Sequence, residues 1–175
     1  MESFVAIDVE TTGLSPARGA RVIEIAAVKV VRGQVTAELC SLIQIGVPVS
    51  AATTRVHGIT TAMLAGQPTP GEIWPQFLWF IEHHPIVAHN APFDMRFAHS
   101  ELQRLGLSMT NPSHCTLKIG RRKYPRLPSH KLEYLARHVL GKLPPGIQLH
   151  RALGDAHLTA MVWEEMNNAL LGENN

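Results

Sequence analysis

Acidic residues stand at three places where an apolar element ends or a helix begins. Asp8 and Glu10 close the run Phe4-Val5-Ala6-Ile7-Asp8-Val9. Residues two apart in a strand point to the same face, so these carboxylates converge just before the Thr11-Thr12-Gly13 turn. Asp94 opens a helical segment after a short apolar strand, flanked by Phe93 and Phe97, and Asp155 lies near the start of the last helix, five residues after His150. Taken singly, each has an ordinary explanation: an acid pair on a strand end is usually surface or turn chemistry, and an Asp in a first helical turn usually complements the helix dipole. Together they could converge on one edge of a sheet. Bare carboxylates at close range repel and raise one another's pKa, so a four-carboxylate cluster makes physical sense around hard cations. All-oxygen ligation favours two divalent ions such as Mg²⁺ or Mn²⁺ over zinc, which would want Cys or several His. Two such ions about 3.5–4 Å apart can hold the attacking and leaving oxygens of an in-line phosphoryl displacement.

The elements that must position these groups are legible in outline. The β-branched run at residues 4–9 reads as a strand, a second reads at 22–31, and Gly33-Gln34 offers a turn into a third at 35–45. Three strands in meander order imply an antiparallel beginning. After the Val47-Pro48-Val49-Ser50 break, Thr60 or Thr61 can cap a short helix. Residues 71–83 repeat Ile73, Phe77, Phe80 and Ile81 at helical spacing, with Pro75 placed in the first turn, where a missing N–H costs little. Residues 85–89 read as a buried strand, followed by a helix over 93–105 that Gly106 stops. An apolar stretch around Cys115-Thr116-Leu117, a helix over 131–140 ended by Gly141, and a long helix over 153–171 complete the chain. The order βββαβαβαα argues a mixed α/β sheet flanked by helices. With no internal repeat or long linker, residues 1–175 read as a single domain.

Composition narrows the class. A 45% hydrophobic content and a net charge of only +2 exclude disorder as a description of the whole chain. Cys40 and Cys115 are too far apart for a Cys-x-x-Cys site, which points to the reducing cytoplasm. No apolar run approaches the ~20 residues of a membrane helix, and Met1-Glu2-Ser3 lacks the basic start of a signal peptide. The small net charge hides an uneven distribution. Between 114 and 151 nine basic residues (Lys118, Arg121, Arg122, Lys123, Arg126, Lys131, Arg137, Lys142 and Arg151) stand against Glu133 alone. Such a stretch suits a polyanion, or is a solvated surface whose acids lie elsewhere in the fold.

Three ordered strings carry a resemblance to a known family. Asp8-Val9-Glu10-Thr11-Thr12-Gly13-Leu14, His89-Asn90-Ala91-Pro92-Phe93-Asp94 and His150-Arg151-Ala152-Leu153-Gly154-Asp155-Ala156 resemble the three exonuclease motifs of DnaQ-like 3′→5′ exonucleases, in the subclass with a catalytic histidine. Cys115-Thr116-Leu117-Lys118, Arg121-Arg122 and Pro144-Pro145-Gly146 are most similar to the bacterial exonuclease X group, with proofreading ε-subunits of DNA polymerase III next nearest. The resemblance implies a ribonuclease-H-like α/β fold with a central five-stranded mixed sheet. It implies that Asp8 bridges two metals, that Glu10 and Asp155 complete the tighter site, and that Asp94 acts largely through water. His150 would be the general base, a task suited to an imidazole with an unperturbed pKa of about 6.5. Thr11, Thr12, Gly13 and Leu14 would lie against the terminal nucleotide, with Leu14 wedged on the last base, and His57-Gly58-Ile59-Thr60 would line the same pocket. Asn90, with His89, would support the site. Phe93 would stack on a base or belong to the core.

The expected activity is therefore hydrolysis of DNA from 3′ ends to nucleoside 5′-monophosphates. Single-stranded DNA or DNA 3′ ends would be the partner, and the basic stretch at 118–131 could track phosphates. An RNA 3′ exonuclease similar to ribonuclease T or oligoribonuclease is the first alternative, and a non-catalytic nucleic-acid-binding member of the fold the second. The chain's end at Asn175, soon after the last helix, is expected to go with a free-standing enzyme of repair or end trimming, as a monomer or a homodimer.

Overall fold

The computed structural model describes residues 2–172, so the readings placed on Met1 and on Glu173-Asn174-Asn175 lie outside the described residues. Strands β1 (Ser3–Thr11), β2 (Val22–Val31) and β3 (Gln34–Leu42) form the expected antiparallel meander. β4 (Ile86–Ala88) and β5 (Ser113–Cys115) then add in parallel on the other side of β1, giving a five-stranded mixed sheet in the order β3-β2-β1-β4-β5. The helices are α1 (Ala51–His57), α2 (Thr61–Leu64), α3 (Pro70–Ile81), α4 (Ala91–Arg104), α5 (Thr116–Lys123), α6 (Leu132–Leu140) and α7 (Ala152–Gly172). No helix among the described residues is long and apolar enough to cross a membrane.

Alternation along β1 divides the core into two layers. Val5, Ile7 and Val9 pack with Trp74, Phe77, Ile81, Phe97 and Leu102 of α3 and α4. Phe77 and Phe97 are fully buried there, each stabilising the fold by about 1.5–3 kcal/mol relative to exposure. Phe4 and Ala6 face the opposite way, against Ala152, Ala156, Ala160 and Trp163 of α7. Small side chains at every fourth position let α7 lie close on the sheet. Its other stripe, Leu158, Val162 and Met166, packs on Leu135 and Ala136 of α6. Because side chains alternate, Asp8 and Glu10 belong to the face covered by α7.

Two local readings need correction, and one helix goes unread. Pro75 is not in the first turn: α3 starts at Pro70, with Thr69 and Glu72 forming a capping box, and Pro75 sits inside the helix. Gly71, whose carbonyl would have received the missing N–H, is exposed like Pro75, so solvent can take its place. Between the 47–50 break and Thr60 the chain forms a helix the sequence did not announce, α1, capped by the Ser50 hydroxyl, which accepts from the Thr53 amide; Thr60 caps α2 through Met63, as expected. The apolar stretch around Cys115 is a three-residue strand that passes directly into α5, whose last turn carries Arg121, Arg122 and Lys123.

Candidate active site

β1, the central strand, carries Asp8 and Glu10 toward its C-terminal end, and a register shift between Glu10 and Thr11 turns the chain away beyond them. α7 starts over the same face and presents Asp155 in its first turn. One carboxylate oxygen from each of Asp8, Glu10 and Asp155 lies within 4.8 Å of the others, close enough for one ion to be shared. Asp94 enters from the other layer, in the first turn of α4, and is buried at 2% exposure. It stands outside that tight trio, with its carboxylate held by the backbone amides of Val9 and of Asp94 itself. The helix-start positions of Asp94 and Asp155 are where backbone dipoles favour negative charge.

In the metal-free protein the four acids strain against one another. Asp8 is pushed well above the usual carboxylate range by burial first, then by the charges of Asp94, Asp155, Glu10 and Glu24. Glu10 is raised to about 8 by burial, Asp155 and Glu24, with Arg151 opposing. Burial raises Asp94 to about 8 against its two amide hydrogen bonds. Asp155 reaches about 6 through burial, moderated by His150. An all-oxygen donor set that resists ionisation until a cation arrives fits a hard divalent ion, and the absence of Cys or clustered His from the group disfavours zinc. Among the described residues it is the one acidic or His/Cys group tight enough to hold a metal, and His83 and His84 belong to none.

His150 sits just before α7 in a left-handed backbone conformation with φ 58°, its side chain exposed. Its amide donates to Asp155 Oδ2 at 3.2 Å, which ties the histidine to the acid cluster. Asp8, Asp155 and His150 share a cleft of about 520 Å³ with His89, Asn90, Arg121, His130 and Lys131. Burial lowers His89 to about 4, and its Nδ1 lies 2.9 Å from the Thr116 hydroxyl, so this ring is a neutral hydrogen-bonding wall of the cleft. Asn90 takes the left-handed conformation that starts α4.

Beside the carboxylates, the turn after β1 is fastened at several points. The Thr11 hydroxyl donates to the Gly13 carbonyl at 2.7 Å, and Thr12 exchanges hydrogen bonds with Arg21. Leu14 is left 82% exposed at a cavity of about 400 Å³ bordered by Thr12, Gly13 and Pro48. An exposed leucine on a pinned turn is available to an apolar ligand face. Arg96 donates to the Leu14 carbonyl at 3.2 Å and covers the Phe93 ring, whose other neighbour is Phe97 at 4.8 Å. Phe93 is thus half-buried and already engaged. His57 is buried with Nδ1 accepting from the Ile59 amide; burial holds its pKa down, against a backbone hydrogen bond to Thr11 that favours the protonated ring.

Sequence reasoning misses Glu24, Arg96 and the cleft-lining role of Arg121, His130 and Lys131. Glu24 is 1% exposed on β2, opposite Glu10, and grips Arg151 through contacts of 2.5–3.1 Å while accepting the Ala152 amide at 3.0 Å. The available signal is one acid inside the apolar run Val22-Ile23-Glu24-Ile25, since a buried carboxylate demands a partner.

Comparison with known proteins places this arrangement. A family model described as "Exonuclease" matches residues 5–163. The chain is 37% identical over 162 residues to DNA polymerase III subunit epsilon of Aquifex aeolicus, covering 92% of this chain and 78% of that one. It is 39% identical over 170 residues to a DNA polymerase III subunit epsilon-like protein of Rhodobacter capsulatus, where it covers 96% of this chain and spans 24% of the relative's length. The structure of exonuclease X in complex with 5′ overhanging duplex DNA matches with a TM-score of 0.74 at 30% identity, over 95% of this chain and 92% of that one. The shared five-stranded mixed sheet and flanking helices give the fold its ribonuclease-H-like class. A nuclease fold with an acidic cluster able to bind divalent metal is what these matches and the geometry have in common, and the chain belongs to the DnaQ-like exonuclease family.

Proposed function

We propose that this chain is a single-domain, metal-dependent 3′→5′ exonuclease that acts on single-stranded DNA or DNA 3′ ends and releases nucleoside 5′-monophosphates. The observation that carries the reading is the carboxylate trio of Asp8, Glu10 and Asp155, gathered within 4.8 Å beside the cleft that also holds His150. Asp8, Glu10 and Asp155 would hold two Mg²⁺ or Mn²⁺ ions, with Asp94 contributing through water. Such ions neutralise the scissile phosphate and the charge that develops on the leaving oxygen. His150 takes the proton of the attacking water, and its exposed imidazole can pass that proton to solvent.

Substrate binding follows from the neighbouring groups. The backbone of Thr11, Thr12 and Gly13 meets the terminal sugar, and Leu14 wedges against the last base. Phe93 presents a ring face that Arg96 covers until a base competes for it. Asn90 lines the cleft beside Asp8, and His57, buried behind the Thr11 turn, supports the terminal-nucleotide side of the site. Arg121 and Lys131, exposed on the cleft wall with no acidic partner among the described residues, meet phosphates upstream of the terminus. The preference for DNA is supported by the likeness to exonuclease X, whose structure contains DNA. Side-by-side digestion of matched 5′-labelled DNA and RNA oligonucleotides tests it: the DNA should shorten from its 3′ end at the higher kcat/KM, and a large preference for RNA would sink the assignment.

A further inference from the structure

His150 carries out its chemistry from a loop, and its exposed side chain makes no hydrogen bond to a described residue that would aim it. What fixes its place is the backbone on either side. Downstream, Arg151 is locked by two nitrogens onto Glu24, a carboxylate buried between β2 and the start of α7 that also caps the Ala152 amide. Upstream, the chain at Gln148 lies directly on α7 at Gly154. A Cβ built on Gly154 would overlap the Gln148 carbonyl oxygen, with its carbonyl carbon at 2.9 Å and its amide nitrogen at 3.2 Å.

Gly154 has no other need to be glycine. It lies in the first turn of α7 with no positive φ, a setting where alanine is the better helix former. Gly120 also stands close to a neighbour, but there the crowding atoms are the flexible tips of the Leu135 side chain. Among the described glycines, Gly154 alone would drive a Cβ into backbone at under 3 Å. Since Gln148 is two residues from His150, displacing it moves the histidine.

We propose that His150 is aimed by a two-sided bracket, in which Gly154 receives the Gln148 backbone and Glu24 holds Arg151. Gly154 and Arg151 are positioning residues for the base, an assignment that rests on His150 serving as that base. The experiment is a double-mutant cycle on the full chain, with kcat and KM for nucleotide release from single-stranded DNA and thermal melting of each variant. Gly154→Ala should lower kcat by on the order of 10²-fold, as misplacing a catalytic group by an ångström does, with KM nearly unchanged and the melting temperature lowered by only several degrees, because the backbone that gives way at Gln148 is exposed. Gly154→Ala combined with His150→Ala should be no slower than His150→Ala alone.

A Gly154→Ala enzyme within twofold of wild type in kcat, or a loss that adds in full to that of His150→Ala, would overturn the bracket. If His150→Ala itself keeps wild-type activity, the base assignment fails, and that is read before the cycle is closed. Should Gly154→Ala not fold, Arg151→Lys keeps the charge but gives up the two-nitrogen grip on Glu24. It should show the same kcat loss and the same non-additivity with His150→Ala, and full additivity or unchanged kcat would again overturn the bracket.

Discussion

The carboxylates enter the cleft from regular structure, whereas His150 enters it from a loop. Asp8 and Glu10 ride on the central strand, paired there with Ala26 and Glu24 of β2, and Asp94 and Asp155 open long helices packed on opposite faces of the sheet. Moving any of them means moving the core. His150 sits in a left-handed backbone conformation, exposed, and is placed by a few contacts at Gln148, Arg151 and Asp155. The difference has a physical logic. Four mutually repelling acids stay together only when a rigid scaffold prevents their relaxing apart, and that repulsion creates affinity for cations. A proton acceptor needs access to water and a path to solvent, which a loop provides.

Mutations on the two sides should therefore behave differently. Asp8→Ala should reduce nucleotide release by at least about 10³-fold, the loss of metal-assisted charge stabilisation. It should also leave the melting temperature of the metal-free protein unchanged or higher, because a carboxyl group whose ionisation burial and its acidic neighbours disfavour has gone. His150→Ala should cost on the order of 10²–10⁴ in kcat and leave both stability and metal binding unchanged, as calorimetry with Mn²⁺ would report. Equal effects of the two substitutions on metal affinity would erase the contrast.

The pH dependence of stability sharpens it further. Glu10 and Asp94 at about 8 and Asp155 at about 6 are raised above the values that carboxylates have in an unfolded chain. A raised folded-state pKa means the native protein binds more protons, so the stability these groups contribute is fully present below about pH 4 and is lost as pH rises through about 6 to 8. Melting of the metal-free protein should fall by on the order of 5 °C between pH 5.5 and 8.5, and saturating Mg²⁺ or Mn²⁺ should remove most of that fall. A metal-free protein that is more stable at pH 8.5 would contradict the assigned repulsion. The smallest expected effect lies at the cleft rim: Arg121→Ala should weaken DNA binding about uniformly across sequences and reduce the slope of log affinity against log salt by about 1, measured by anisotropy titration.

Much of the fold and of the acidic cluster is legible in the amino-acid sequence. The strand over Val22–Val31 and the antiparallel opening follow from β-branched runs and a Gly turn, and the acids stand out because they interrupt apolar periodicity. The features that are not legible there have identifiable reasons. α1 is a short, largely exposed helix with no apolar stripe to announce it, held by the Ser50 cap. α5 follows β5 without a loop, so no turn residue separates them. Glu24 is visible as an odd acid in a strand, but its position beside Glu10 depends on the β1–β2 register. Gly154 reads as an ordinary motif residue, because its neighbour Gln148 is defined only by the path of the loop. Pairing within an element is written in local sequence, while contacts between a loop and a helix are not.

The carboxylate trio of Asp8, Glu10 and Asp155 is proposed as the metal centre that drives hydrolysis at the 3′ end. The most direct test follows a 5′-labelled single-stranded DNA over time, with wild type and Asp8→Ala, in EDTA and across a Mg²⁺ titration. Wild type should produce a ladder shortening from the 3′ end only when metal is present, and Asp8→Ala should produce none at any concentration. Cleavage by wild type in EDTA, or an undiminished ladder from Asp8→Ala, would contradict it.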